Sequence, residues 1–431
     1  MEMSSLFAGM ALAIADAPTR TRRGRVMGVV GTVIEADLPG ARIGEICTLG
    51  NGGIAETVGF RNGRALLMPF DVVDGVRFGS MVETVGEMPT VGVGESLRGR
   101  ILDGYGEPMD GKGPVPGLTR RPLHSPPPDP LSRPVIRQPL PTGVRVIDGL
   151  LTFGKGQRVG LMAGSGVGKS TLMGMIARRS SADINVIALI GERGREVREF
   201  VEEVLGVEGL RRSVVIVVTS DKSPVLQVRG AFTAAAIADW FRDQGLDVMF
   251  FMDSITRLAM AQRQIGLAAG EPPTTKGYTP SVFGLLPRLL ERAGPGARGS
   301  VTALYTVLVD GDDVTGDPIG DAVRGMVDGH VVLSRKIAAH GQYPAVDVLA
   351  SISRVMPGVV PTGHVDAARA VRSLLATWAE NEELVRLGAY RTGANAAVDA
   401  AIARIEGLRG WLTQGIDEAT PFSEVVPGMA I

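Results

Sequence analysis

Ala163-Gly164-Ser165-Gly166-Val167-Gly168-Lys169-Ser170-Thr171 decides how the rest of the chain is read. It follows an apolar run, Val159-Gly160-Leu161-Met162, and leads into a helix-compatible stretch from Leu172 to Arg179. Strand, glycine turn and helix in that order are the setting of a phosphate-binding loop. Glycines let successive backbone N–H groups turn toward one anion, and the start of the following helix adds partial positive charge. In such a loop Lys169 reaches the β- and γ-phosphates and the Ser170 hydroxyl ligates Mg²⁺. Ala163 stands where the pattern G-x-x-x-x-G-K-[ST] has its first glycine, and alanine still turns tightly there at negative φ. The rival is a flexible glycine loop that happens to carry a lysine; the apolar flanks and the Lys-Ser-Thr run weigh against it.

The bulk properties narrow the class. At 431 residues the chain has room for two or three domains and a large core. With 45% hydrophobic and 21% charged residues it reads as globular rather than disordered. Lysine and arginine number 45 against 46 aspartates and glutamates, with no block of like charge, which disfavours a nucleic-acid partner. Cys47 is the single cysteine, so no intrachain disulfide forms, in keeping with a reducing, cytoplasmic compartment. The apolar run Leu6–Ala15 is too short to span a bilayer, and its basic residues (Arg20, Arg22, Arg23, Arg25) follow it rather than precede it. A short amphipathic docking helix and a frayed tail are the two readings of residues 1–24.

Along the chain, residues 25–92 read as short strands punctuated by glycine: Arg25–Val30, Ile43–Leu49, Ala55–Phe60, Ala65–Met68 and Ser80–Val85. Turn signals at Asp37–Gly40, Asn51–Gly53 and Asn62-Gly63 recur at close spacing, so a small β-barrel is expected. From Gly94 to Pro141 the chain turns loop-like and then proline-dense, and lone His124 within it is expected to be structural. Strands and helices then alternate to about Arg335. The strands are Arg158–Met162, Asn185–Ile190, Ser213–Thr219, Asp247–Met252, Ser300–Val307 and His330–Leu333; the helices are Leu226–Gln244, Thr256–Ala269 and Val282–Ala293. Near-continuous apolar runs such as Val214–Val218 suit strands buried on both faces of a parallel sheet. Ala367–Leu387 and Ala396–Leu412 keep a 3.6-residue apolar period. Acids within Trp378–Leu384 form a partner face or simply a solvated one. The fold class is therefore α/β. A barrel (25–92) follows the tail (1–24), a mostly parallel P-loop domain (93–360) comes next, and a helical domain (361–431) closes the chain.

Three further stretches carry chemistry. Phe250-Phe251-Met252-Asp253 is a strand ending in an acid, placed to hold Mg²⁺ directly or through water. Ile190-Gly191-Glu192-Arg193-Gly194 again follows an apolar strand. Its carboxylate either polarises a water in line with the γ-phosphate or stabilises the start of a helix. Composition alone reads Tyr343–Arg354 as a loop with a strand-like tail and Arg354 as a surface arginine.

In this order and spacing these motifs resemble the rotary F1/V1-type ATPase catalytic-subunit superfamily, with Pro344–Ser353 (PAVDVLASIS) similar to its signature. Asp253–Arg263, Gly270–Pro273, Pro280–Phe283, Leu289–Gly294 and Tyr305–Asp313 narrow the likeness to type III protein-export ATPases, which drive flagellar export and its injectisome relatives. The resemblance spans about residues 25–415, and the Ala163–Lys169 loop favours the flagellar branch. It implies a RecA-like core with ATP and Mg²⁺ as cofactors. Gly164, Ser165, Gly166, Val167, Gly168, Lys169, Ser170 and Thr171 would hold the nucleotide, and Tyr343 would pack on adenine. Ser170 and Asp253 would serve the metal. Glu192 would position the water with Arg193 beside it, and Arg257 would lie near the γ-phosphate. Arg354 would be the finger inserted by a neighbouring subunit. The resemblance further implies a homohexamer, a central coiled-coil stalk protein and a peripheral regulator at the N-terminal tail. An export gate, chaperone–substrate complexes and peripheral membrane association complete its implications. An ATP-synthase catalytic subunit and a hexameric RNA translocase are the rivals; the Pro280–Phe283 and Asp253–Arg257 stretches disfavour the first. Three phenylalanines (Phe60, Phe70, Phe78) are a thin aromatic set for the second.

Overall fold

The structure is a computed structural model and describes residues 21–71, 74–86, 89–164, 166–309 and 316–429. The docking tail lies, but for its last residues, outside the described residues, as do Ser165 and residues 310–315.

Period-two alternation closes the N-terminal strands on themselves. β1 (Arg23–Val30), β2 (Val33–Asp37), β3 (Ile46–Leu49), β4 (Ile54–Arg61), β5 (Arg64–Pro69) and β6 (Met81–Thr84) form a closed barrel in the order β1-β2-β5-β4-β3-β6. Val26, Ile34, Leu67 and Val82 fill its interior. The expected Asn62-Gly63 turn joins β4 to β5 with both residues at positive φ, 50° and 76°, as a two-residue hairpin requires. β2 was not anticipated, because Val33–Asp37 holds one alternation between two turn signals. The barrel docks on the central domain through Arg61, whose Nη2 donates to the Ala268 carbonyl at 3.1 Å.

The loop-like stretch holds more structure than its composition suggests. β7 (Thr90–Val93) pairs antiparallel with β9 (Thr119–Pro122), while β8 (Ile101–Leu102) extends the edge of the main sheet. Thr119-Arg120-Arg121-Pro122 has no apolar alternation, so only its partner strand makes it a strand. His124 packs edge-on against Phe232, 4.6 Å between centroids, and burial lowers its pKa to about 4. It is thus a neutral structural side chain.

The main sheet contains β10 (Arg158–Ala163), β11 (Ile184–Glu192), β12 (Ser213–Thr219), β13 (Asp247–Asp253), β14 (Gly294–Pro295), β15 (Ser300–Leu308), β16 (Gly329–Leu333) and β17 (Val346–Ser353). Its order is β17-β16-β10-β15-β13-β11-β12-β8, with β14 beside β15; β14 and β17 pair antiparallel and the other pairs run parallel. Along β11, Val186, Ala188 and Ile190 enter one apolar cluster, while Ile187 and Leu189 enter the cluster on the opposite face. Burial on both faces is why these strands read as continuous apolar runs.

The helices that matter below are α1 (Arg145–Leu150), α2 (Lys169–Arg179), α3 (Gly194–Glu199), α4 (Pro224–Asp243), α5 (Ile255–Ala269), α6 (Pro280–Leu290), α7 (Arg335–Ala339), α8 (Thr362–Arg386) and α9 (Ala396–Leu412). Ser223 and Ser254 cap α4 and α5 by accepting from backbone amides of the first turn. The α8–α9 pair is tied back to the sheet. Arg372 donates to the Val348 and Ser351 carbonyls at 2.8 and 3.0 Å, and Arg145 donates to the Trp411 carbonyl at 3.1 Å.

Candidate active site

Parallel strands bring their carboxyl ends to one edge, and a crevice opens there where the strand order reverses. The chain leaves β10 and returns three positions away as β11, so Lys169, Asp253 and Glu192 converge although 84 residues separate the outermost two of the shortest contact. Lys169 opens α2, Asp253 ends β13 and Glu192 ends β11. Gly168, at φ 92°, turns the chain from β10 into α2 in a backbone conformation open to glycine.

Lys169 Nζ lies 2.5 Å from Asp253 Oδ1 and 3.9 Å from Glu192 Oε1. Thr306 of β15 donates to the same Asp253 oxygen at 2.7 Å and holds that carboxylate in place. Arg257, in the first turn of α5, brings Nε to 3.5 Å from Glu192 Oε1. Neither Glu192 Oε1 nor Arg257 Nε completes a hydrogen bond among the described residues, although both atoms are buried. Buried polar atoms without a partner are costly, and here they mark a polar site shaped for something further. Glu192 is only 7% exposed. Burial, reinforced by the Asp253 charge, raises its pKa to about 7 against the opposing pull of Lys169 and Arg257.

These groups line one cleft of about 690 Å³ together with Gly164, Gly166, Ser170, Thr171 and Arg193. Val167 turns inward and is buried in the core beneath the loop. Arg193 is exposed and paired with Glu196 at 3.1 Å. Glu192 does not cap α3: the residue at that cap is Arg193, and no side chain bonds there. Tyr343, 47% exposed, flanks the loop from outside, its ring 3.8 Å from where a Cβ on Gly168 would stand. Arg354 follows β17 and does not line its own chain's cleft; it is exposed and donates to the Val327 carbonyl at 3.3 Å.

Sequence reasoning passed over Thr306, Phe200, Val204 and Arg335. Thr306 is one of two threonines in a mostly apolar strand, near its carboxyl end. Phe200 and Val204 close the cleft wall from a π-helical turn (Phe200–Leu205), and Val204 reaches α2 only because Gly174 has no side chain. Arg335 opens α7 after β16, far from the motifs in sequence.

The donor set fits a nucleotide with its metal. Loop amides at a helix N-terminus and one lysine suit phosphates. Ser170 and Asp253 in the same cleft suit Mg²⁺, which keeps most of its shell as water and phosphate oxygen.

Fold and site together define a P-loop nucleotide-hydrolysing domain between a barrel and a helical cap. Residues 143–353 match the ATP synthase alpha/beta family, nucleotide-binding domain, and residues 360–430 match the T3SS EscN ATPase C-terminal domain. The chain is 53% identical to the flagellum-specific ATP synthase of Bacillus subtilis (strain 168), covering 95% of this chain and 94% of that one. It is 52% identical to the type 3 secretion system ATPase of Xanthomonas euvesicatoria, covering 94% and 92%. Among solved structures, the assembled ATPase EscN from the enteropathogenic E. coli type III secretion system superposes with TM-score 0.90 at 45% identity, covering 94% and 98%. The chain belongs to the type III export ATPases of the ATP synthase alpha/beta family. Among the described residues no helix is long and apolar enough to cross a membrane.

Proposed function

We propose that the chain hydrolyses Mg·ATP at the Lys169–Asp253–Glu192 cleft, as a homohexameric ring whose neighbouring subunits complete each site, to energise flagellar protein export. One observation carries this reading: a buried carboxylate, its Oε1 without a hydrogen bond among the described residues, faces the phosphate-loop lysine across the carboxyl edge of a parallel sheet. The loop amides from Gly164 to Gly168, Ser165 among them, cradle the phosphates. Val167 anchors the loop in the core, Lys169 and Arg257 neutralise the developing charge, Thr171 supports the phosphates from the first turn of α2, and Tyr343 stacks on the base. Ser170 and Asp253 hold the Mg²⁺. Glu192 orients the attacking water, and Arg193 beside it shapes that edge of the site. Its raised pKa suits a group that must take up and release a proton near neutral pH. With phosphate bound, Lys169 would turn from Asp253, 2.5 Å away, to the phosphate oxygens, and that carboxylate would be available to hold the metal.

Arg354 supports the ring. It lies outside its own cleft yet beside an exposed edge strand, where Leu349 and Ile352 stay 45% exposed. A finger from the adjoining subunit is the role that fits this position. EscN has been solved assembled and in complex with its central stalk EscO, and a stalk protein in the ring centre is the matching partner here. A regulator at residues 1–24, chaperone–substrate complexes and an export gate at the C-terminal side place the ring in the cytoplasm at the inner membrane. The domains run 1–24, 25–92, 93–360 and 361–431. Relatives from flagellar and secretion systems are about equally similar; the Ala163–Lys169 loop tips the reading to the flagellum.

The test is Glu192→Gln. Turnover should fall by at least about 10²-fold, the scale of a positioned proton acceptor, while the ATP dissociation constant moves little. Brisk hydrolysis by the variant would exclude the role.

A further inference from the structure

A second cavity, of about 210 Å³, lies between β17, the segment Ser334–Gln342 and the helices α8 and α9. Its walls are apolar where Val346, Val348, Leu375, Ile405 and Leu412 meet. At its mouth the charges are unevenly satisfied. Glu382 is paired with Arg409 at 3.1 Å, and Arg409 in turn stacks over Trp378, 5.3 Å from the ring centroid. Asp347 accepts from the Leu349 and Ala350 amides at 3.0 Å each. Lys336 and His340 also line the mouth, and neither side chain has an ion pair or hydrogen bond among the described residues. What the cavity leaves unbonded is therefore an apolar volume with the Lys336 ammonium beside it, the acids Asp347 and Glu382 being already engaged, and its complement is a small amphipathic anion that pairs with that lysine.

The same segment forms a wall of the nucleotide cleft. Arg335 lines that cleft, its Nε 3.1 Å from where a Cβ on Gly164 would stand, while the next residue, Lys336, lines the second cavity. Past the end of the segment, Tyr343 lies against Gly168 of the phosphate loop, and its carbonyl accepts from the Gln414 amide at 2.8 Å. A body seated in the second cavity thus touches α7 and the turn after it from behind, and those residues meet the phosphate loop at two points.

We infer that this cavity binds a small aromatic or aliphatic carboxylate, and that its occupancy is coupled to nucleotide affinity through Ser334–Tyr343. Coupling rests on the nucleotide reading above; binding does not. Linkage makes the effect reciprocal: whatever factor the anion applies to ADP affinity, ADP applies to the anion.

Indole-3-acetate serves as probe, with the neutral indole-3-ethanol as its uncharged counterpart, in calorimetric titrations of the full chain. Expected are saturable binding of the acid, weaker binding of the alcohol, and a loss of at least about fivefold in Lys336→Glu, the worth of one exposed charge contact. His340→Gln should weaken the acid to a lesser degree. At saturating probe the ADP dissociation constant should shift by a comparable factor, and the probe's own constant should shift equally when ADP is present. Lack of saturation, equal affinity for acid and alcohol, or indifference to Lys336→Glu each overturns the site. Binding with an unmoved ADP constant overturns the coupling. Titration of ADP alone separates these failures from a failure of the nucleotide reading.

Discussion

At Glu192 burial wins over attraction. Two cations stand within 4 Å, yet the carboxyl is pushed up to about 7, because it is removed from water and shares the cleft with Asp253. The consequence for stability has a definite sign. The unfolded chain ionises this group near its ordinary 4.5, and the folded chain ionises it near 7. Between those values the folded form binds more protons, so the group's contribution declines as pH rises through that window and is flat outside it. Glu192→Gln removes the ionisation. The melting temperature of the variant should therefore gain on the unsubstituted protein as pH climbs from about 4.5 to about 7, the range set by that one group. Parallel melting curves across this window would contradict the raised pKa. Arg354 shows the opposite case at the same scale: its sequence context is rich, yet it does not line its own chain's cleft, and the finger role proposed for it concerns a neighbour's.

Among the elements, α4, α6 and the proline-rich segment are held together by a buried ion pair. Arg292, past the end of α6, presents Nε and Nη2 to Asp239 of α4 at 2.9 and 2.6 Å, and its Nη1 donates to the Leu123 carbonyl at 2.6 Å. Arg242 donates to the other Asp239 oxygen at 3.0 Å. Both Arg292 and Asp239 are nearly inaccessible, at 2% and 3% exposure. Removing the sole partner of a buried charge costs about 3–5 kcal/mol; here Arg242 stays on Asp239, so the loss of Arg292 costs less, about 1.5–3 kcal/mol. Arg292→Ala should lower the urea midpoint accordingly with an unchanged m-value, and Arg292→Lys should recover little, since one ammonium cannot replace the planar fork. A loss under about 1 kcal/mol would show that the pair is not desolvated as described. Leu289–Gly294 was legible as a family motif, but Arg292's partner Asp239 was not: it lies 53 positions earlier, with β13, α5 and α6 between, and no local pattern announces an acid buried in an apolar helix.

For the whole molecule, assembly decides activity if finger and loop belong to different chains. A chain bearing Arg354→Ala keeps a sound cleft, and one bearing Lys169→Ala keeps a sound finger. Mixed rings should then recover part of the turnover that neither variant shows alone. A finger contributes 10³–10⁵ in rate, so even a minority of complete interfaces is measurable. Silence from mixtures verified to contain both chains would place Arg354 outside the reaction. The barrel and the α8–α9 cap frame the core without entering the cleft, and their contacts run through arginines: Arg61 to the Ala268 carbonyl, Arg372 to β17 and Arg145 to the end of α9.

From the sequence by itself came the phosphate loop, the two strand-end acids, the three-part order of barrel, α/β core and helices, and the core strands to within a residue or two. Those features are local: a glycine turn, an apolar run and a period of two or 3.6 are written over a few neighbouring residues. Tertiary structure alone decided the rest. It put β13 between β11 and β15, so that Asp253 meets Lys169 and Thr306; it drew Thr119–Pro122 into a strand and brought Arg335 against the phosphate loop. Each of these depends on which distant segments lie side by side. That pairing is settled by burying two faces of one sheet at once, a condition on the whole chain that no short window of residues contains.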